Sequence, residues 1–231
     1  GQCRACTDIN VPQRPFEIEN VDTVTVPLAQ SGYTTEYLRY RITINDRPNE
    51  TNYYRIVIDK QTTLWGYNHE EGGDDYIYWT KHSYNFIGRE DVVLTDGQPT
   101  TGDDEDNGLF DTAKNIYGVF DDTRFRNTSY TMTVYNNTKI ETGSDSGYFS
   151  GMDVIIRLMS ITETEYYYLK ALNLVDSDAY DETINEPIKY PSNVHGGTGM
   201  VGISTEVTQT IHIISSSHSK GNLAPPVHVY Q

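Results

Sequence analysis

A chain of 231 residues with 36% apolar residues, and with 19 tyrosines against 6 phenylalanines and 2 tryptophans, must bury much of its core area with rings that carry a polar tip, which suits a polar-surfaced β protein better than a helical bundle. The abundance of aromatic and β-branched residues argues against disorder throughout, and the length is enough for one well-buried core or two small ones. A formal net charge of -16 disfavours nucleic acid and docking on anionic lipid while leaving room for divalent cations, and no stretch approaches the ~18 consecutive apolar residues of a membrane-spanning helix.

The opening segment to Gln30 reads as a loop followed by a strand: Pro12 and Pro15 keep the chain extended, and Val21 to Val26 alternates with period two. Cys3 and Cys6 form a lone Cys-x-x-Cys without further zinc ligands or a βαβ context, so they read as a free pair or an incidental local disulfide. Tyr37 to Asn45 alternates again, Asp46 to Thr51 has turn chemistry, and Asn52 to Ile58 reads as the return strand of a hairpin. Residues 60 to 115 are less regular, with a turn at 72–75, a short aromatic strand at 76–79 and a long polar, acidic loop from Thr95 to Asp111. Strands follow at 116–120, 130–135 and 154–161.

Thr162 to Glu165 fits a capping box, in which each side chain satisfies an orphan backbone N–H. Tyr168, Leu172 and Val175 then recur at i, i+4 and i+7 with Leu169 beside them, predicting a helix over about 163–175 with that stripe inward. Closing strands over 203–214 and a tail from Ser215, where Pro225 and Pro226 block pairing, complete the chain. The order predicts an all-β, antiparallel two-sheet sandwich with one helix inserted before its last strand and a long irregular middle insertion.

Several short motifs now come into view in a fixed order. The segment from Asp46 to Ile58, with Asn52-Tyr53-Tyr54-Arg55 at its core, resembles a hairpin of a family of Bacteroidetes envelope lipoproteins, the DUF4249 family. Phe120 to Phe125 is similar to that family's Phe-x-Asp-x-x-Phe segment, and Tyr166 to Lys170 to its aromatic-rich helix start. The most specific likeness is Glu186-Pro187 followed by Ser192-Asn193 and the glycines Gly196, Gly197 and Gly199. The resemblance spans roughly residues 8 to 214. It implies an exported protein at the outer membrane or cell surface of a Gram-negative bacterium, held by a lipid in the full-length protein rather than by a transmembrane segment, with an immunoglobulin- or fibronectin-III-like sandwich, and often encoded near TonB-dependent transporters. It supplies no catalytic residues. On that basis residues 1–20 are expected to be an extended linker from a preceding domain, 21–214 the sandwich with insertions at about 60–128 and 162–198, and 215–231 a tail.

Candidate chemistry is sparse. Gly196, Gly197 and Gly199 lack the Lys-Ser/Thr of a phosphate loop and read instead as glycines needed for backbone freedom at a tight re-entry, with Asn193 bonding to local backbone. Asp103, Glu105 and Asn107, with Gly108 after them, partly match a calcium loop, but Lys114 stands where its bidentate Glu belongs, and a solvated acidic loop accounts for them better. No His-Glu-x-x-His or Gly-x-Ser-x-Gly occurs, and no cofactor or catalytic residue is expected. Trp65, Tyr67, Tyr76, Tyr78 and Trp79 cluster in the middle section; they suit either a sugar-binding surface or simple core filling. The reading is therefore a non-catalytic envelope binding or accessory module, partnered by a TonB-dependent transporter or a surface glycan and not by nucleic acid, with a polysaccharide- or peptide-acting hydrolase as the alternative.

Overall fold

The computed structural model describes residues 5–30, 33–68, 75–84, 88, 91–97, 115–137, 148–176 and 188–213. The chain folds as β1 (Asn20–Gln30), β2 (Tyr33–Asn45), β3 (Tyr53–Asn68), β4 (Asp75–Ser83), β5 (Val119–Asp121), β6 (Ser129–Asn137), β7 (Tyr148–Ile161), α1 (Glu163–Val175) and β8 (Thr205–Ile213). Its strands form two sheets, one in the order β1-β2-β6 and one in the order β4-β3-β7-β8 with β5 also pairing β3. Among the described residues the fold is an all-β sandwich with one helix, which precedes the last strand as the element order predicts. Two compact units are distinguished, residues 1–57, 85–138 and 157–208 in the first and 58–84, 139–156 and 209–231 in the second, so the boundary falls within β3, β7 and β8.

Period-two alternation explains the strands. On β2, Leu38, Tyr40, Ile42 and Ile44 are buried along one face; on β3, Tyr54, Ile56, Ile58, Lys60, Thr62 and Leu64 are; on β7, Met152, Val154, Ile156, Leu158 and Ser160 are. β1, β2 and β6 pair antiparallel in continuous register, with Val21 opposite Ile42 and Ile42 opposite Met132. The outer edge of β6 is blunted by Asp91. Its carboxylate accepts the Thr133 N–H (2.8 Å) and the Tyr130 hydroxyl (3.0 Å), as well as the Val93 and Leu94 N–H groups of its own turn, so exposed ladder donors are satisfied by a loop.

One expectation is overturned. β2 and β3 do not form a hairpin: they lie in different sheets, and residues 46–52 carry the chain across from one to the other. The reason is the set of partners this corner finds. The Asn52 side-chain amide donates to Asp122 (3.0 Å), to Asp46 (3.3 Å) and to the Arg47 carbonyl (3.0 Å), while its backbone N–H donates to Asp122 (2.8 Å). Asp46 also accepts the Asn127 N–H (2.8 Å) and the Tyr54 hydroxyl (3.3 Å), and Arg126 pairs with Asp122 at 3.3 Å. Asp122 is 0% and Asp46 6% exposed. Two buried carboxylates are thus held by donors from three segments, an arrangement that a two-strand turn cannot supply. Burial, reinforced by the nearby Asp122 charge, raises the Asp46 carboxyl above its ordinary value.

The helix packs on β5 and the end of β7. Val119, Ile161, Tyr166 and Leu169 form its core cluster, with the Tyr53 ring tilted against Tyr166 at 4.9 Å between centroids. The stripe predicted from Tyr168, Leu172 and Val175 is displaced: the buried positions are Tyr166, Leu169 and Asn173, and Tyr168 and Leu172 flank them half-buried. Asn173 escapes an apolar count, yet its amide accepts the Tyr117 N–H (3.1 Å) and donates to Asn115 (3.0 Å), so it is buried at no unpaired cost. The capping box is half made. Thr162 accepts the Glu165 N–H at 3.2 Å, whereas the Glu165 carboxylate turns to the Ile203 backbone N–H instead, and burial pushes this carboxyl up. Gly202 permits that approach, since a Cβ there would stand 2.8 Å from Glu165 Oε2.

Two stability predictions follow from these contacts. Replacing Asn52 by Ala leaves Asp46 and Asp122 without their shared donor, and urea unfolding should show a loss of about 2–4 kcal/mol at unchanged m value. Asp121 should set part of the acid limb. Burial acts to raise its carboxyl, but the Thr123 hydroxyl and amide, the Tyr166 hydroxyl and the Lys170 charge outweigh it, and the net position is below the ordinary value. A lowered folded-state value contributes stability above the unfolded value, and that contribution is lost as pH falls through the folded one. The melting temperature of Asp121→Asn should therefore lie below wild type near about pH 7, with the gap closing below about pH 4.

Candidate functional site

Within the second unit, β3 and β4 make an antiparallel ribbon in which Leu64 faces Trp79, Trp65 faces Tyr78 and Tyr67 faces Tyr76. Directly paired residues share a face, and neighbours along a strand alternate. Lys60, Thr62 and Leu64 are buried on one face of β3, whereas Tyr78 is 50% exposed, and Thr80 and His82 are exposed, along the other face of β4. The register therefore places positions 65, 67, 76 and 78 together on the outward face and Trp79, half-buried, on the inward one.

That outward face continues into Thr63 opposite Thr80 and Gln61 opposite His82. His82 is oriented by a residue that the sequence gives no reason to single out. Asp59, 2% exposed, lies 3.0 and 3.1 Å from His82 Nδ1 and accepts the Gln61 amide at 2.7 Å. No spacing motif links positions 59 and 82; only the ribbon register brings them together. Asp103, Glu105 and Asn107 lie outside the described residues. Cys6 is free and exposed, and Cys3 likewise lies outside the described residues.

The motif residues gather in the first unit. Asn52 and Tyr54 belong to the corner network, and the Tyr53 hydroxyl donates to Glu163 at 2.9 Å; burial first, and that carboxylate second, push the Tyr53 hydroxyl well above its ordinary value. The Ser192 hydroxyl donates to the Gly199 carbonyl (2.8 Å) and meets the Gly199 N–H at 3.2 Å, and the Asn193 amide exchanges two bonds with Val201, 2.8 Å to its carbonyl and 2.9 Å from its N–H. Asn193 thus imitates a strand partner and closes the loop. His195 forms an antiparallel bridge with Cys6. The left-handed positions are Gly196 (φ 79°) and Gly199 (φ 136°), not Gly197. A Cβ on Gly197 would meet only ordinary contacts, 3.4 Å from Val194 and 3.6 Å from Ala5.

Beside this loop, residues 8–13, 50–53 and 160–164 together with Asn193 line a groove of about 530 Å3, within the size range of small-ligand sites. The groove is built from the same corner, helix start and glycine-rich loop that carry the motifs.

The model of the family described as "Domain of unknown function (DUF4249)" matches residues 4–210. The chain belongs to the DUF4249 family. A search of the curated proteins finds no match. All the motif residues of this DUF4249 chain fall inside the matched span, and the structure joins two of them that lie 70 positions apart, Asn52 and Asp122, by direct hydrogen bonds.

The glycine assignments are separable by mutation. Gly196→Val places a β-branched residue at positive φ and should cost about 1–2 kcal/mol or more in thermal or urea unfolding, whereas Gly197→Ala should stay within about 0.5 kcal/mol of wild type.

Proposed function

We propose that this DUF4249 chain is a non-catalytic binding module of the bacterial envelope, anchored at the outer membrane by a lipid on the full-length protein, and that the outward face of the β3–β4 ribbon captures the sugar rings of a surface glycan for a partner TonB-dependent transporter. The observation that carries this reading is the register: four aromatic positions, 65, 67, 76 and 78, share the face on which Tyr78 is half-exposed. Aromatic faces offer flat apolar area at low entropic cost, and an exposed aromatic patch rimmed by polar groups marks a recognition surface. Thr63, Thr80, Gln61 and His82, at the adjoining pairs of that ribbon, supply hydroxyl, amide and imidazole groups for sugar hydroxyls. The envelope setting rests on the resemblance of the motif residues. No helix among the described residues is long and apolar enough to cross a membrane.

The hydrolase alternative has one observation in its favour, since Asp8, Glu50 and Glu163 all line the groove of the first unit. A glycosidase uses a carboxyl raised by its surroundings as proton donor. Burial raises Asp46 and Glu165, and neither lines that groove.

Glycan-array screening followed by calorimetry tests the proposal. Tyr78→Ala and Trp65→Ala should each weaken binding of the captured glycan by about tenfold or more, and Trp79→Phe, on the opposite face, should leave it unchanged. A silent array together with turnover of a polysaccharide or peptide would favour the hydrolase.

A further inference from the structure

The chain carries 17 Lys and Arg against 33 Asp and Glu, so a guanidinium on this protein has many carboxylates to choose from. Arg14, Arg47, Arg55, Arg124, Arg126 and Arg157 each donate to an acceptor of the fold. No hydrogen bond or ion pair among the described residues reaches Arg39 or Arg41. These two stand at alternate positions of β2 and project from one face of the first sheet, opposite to the face on which Leu38, Tyr40, Ile42 and Ile44 are buried. Same-face positions two apart on a strand are separated by about 7 Å.

The register supplies their neighbours. Arg39 lies between Val24 of β1 and Tyr135 of β6, and Arg41 lies between Asp22 and Thr133. Tyr37 and Tyr135 are buried, whereas Asp22, Val24 and Arg41 are exposed. Arg39 therefore stands at the border between a covered and an open part of the face. It is half-buried, and its Nε is buried with no hydrogen-bond partner. A buried donor of a charged group that finds no acceptor costs stability, and a guanidinium cannot lose its proton to escape that cost. Asp22 is placed opposite Arg41, yet no ion pair joins them. An acceptor brought by a ligand would satisfy the Arg39 donor that the fold leaves open.

We infer that this face of the first sheet binds a short acidic sugar, with Arg39 and Arg41 receiving the carboxylates of neighbouring uronic acid units and Asp22 and Thr133 meeting their hydroxyls. The planar guanidinium fork matches a carboxylate, and two forks in a row on one strand suit successive charges of a chain-like ligand. Asp22 decides between acid classes. An acceptor-only group beside the arginines repels a ligand of bare acid groups, such as an acidic peptide, and suits one that carries hydroxyl donors next to its acid. Val24, 44% exposed, offers apolar area to the C–H face of a sugar ring. The net charge of -16 repels long polyanions, which restricts the ligand to a few acidic units. The site belongs to the first unit and does not depend on the aromatic ribbon of the second.

Calorimetry of the full chain with trigalacturonate, its methyl ester and triglutamate at physiological ionic strength decides the question. Trigalacturonate should bind saturably, and the uncharged ester at least about tenfold more weakly. Arg39→Gln and Arg41→Gln should each weaken trigalacturonate by about tenfold or more. Lys189→Gln, which removes a positive charge from an exposed position outside this face, and Tyr78→Ala, in the ribbon, should each change it by less than about twofold. Arg39→Met keeps an apolar stem and removes the unpaired donor, so its melting temperature should equal or exceed that of wild type while binding is lost. Absence of saturable binding, or equal losses in Lys189→Gln and Arg39→Gln, overturns the inference. So does a lower melting temperature for Arg39→Met with binding retained, which would make Arg39 a structural residue. Triglutamate binding as tightly as trigalacturonate would make this a site for acidic peptides. Loss in Tyr78→Ala with Arg39→Gln unaffected would move the acidic sugar to the ribbon, sinking this site while leaving the ribbon proposal standing.

Discussion

The side-chain amide of Asn52 sits between two carboxylates that the fold has taken out of water. Asp46 follows β2, Asn52 precedes β3 and Asp122 follows β5, so one planar group with two donor hydrogens links three stretches of chain. Without it the buried charges would face each other unscreened, a cost that neither burial of Tyr54 nor the partly exposed Arg126 pair could offset. With it, the chain leaves the first sheet and enters the second. Tyr54 then stacks on Phe120 at 5.4 Å, and Phe125 on Tyr130 at 5.2 Å, in the core that the corner closes. Tyr53, one residue along, points the other way onto α1 and Glu163. The placement of the helix start, and hence one side of the groove, depends on this corner.

The acidic residues of the chain stand in two opposite settings. Inside, single carboxylates act as multiple acceptors: Asp91 gathers four donors and closes a sheet edge, Asp59 orients His82, and Asp121 joins α1 to β5 through Tyr166. Each substitutes for backbone pairing that a loop cannot make. At the groove, Asp8, Glu50 and Glu163 are exposed to water, and no ion pair among the described residues reaches them. The difference lies in the company each acid keeps, which composition does not report.

The two candidate surfaces arise from different physics. The β3–β4 ribbon is a local device: a single register decides which positions share a face, and Leu64, Lys60 and Thr62 are buried along the other. The groove is a long-range device, assembled from the N-terminal segment, the sheet-crossing corner, the end of β7 with the start of α1, and Asn193. A change of one residue in the ribbon register would exchange its faces; the groove instead depends on polar anchors such as Arg14 to Glu206 and Asn193 to Val201.

Alternation in Tyr37–Ile44, Asn52–Ile58 and Val154–Ile161 was enough to place three strands, and Thr162 with the residues after it was enough to place a helix, because dry and wet sides of an element repeat with its own geometry and are written locally. The glycine-rich loop was legible for the same reason, although only backbone angles separate Gly196 from Gly197. What the amino-acid order left open was every choice between neighbours. A turn-like run from Asp46 to Thr51 serves a hairpin or a sheet crossing equally well, and Asp122, 70 positions beyond Asn52, decided it. A helix stripe read from apolar residues alone passes over Asn173, whose burial is acceptable only because Tyr117 and Asn115 meet its amide. Trp79 and Tyr78 are adjacent in the chain and fall on opposite faces, and the groove carboxylates come from three separate segments. Periodicity records that a side chain is buried; which partner satisfies a buried polar group is settled only when distant segments meet.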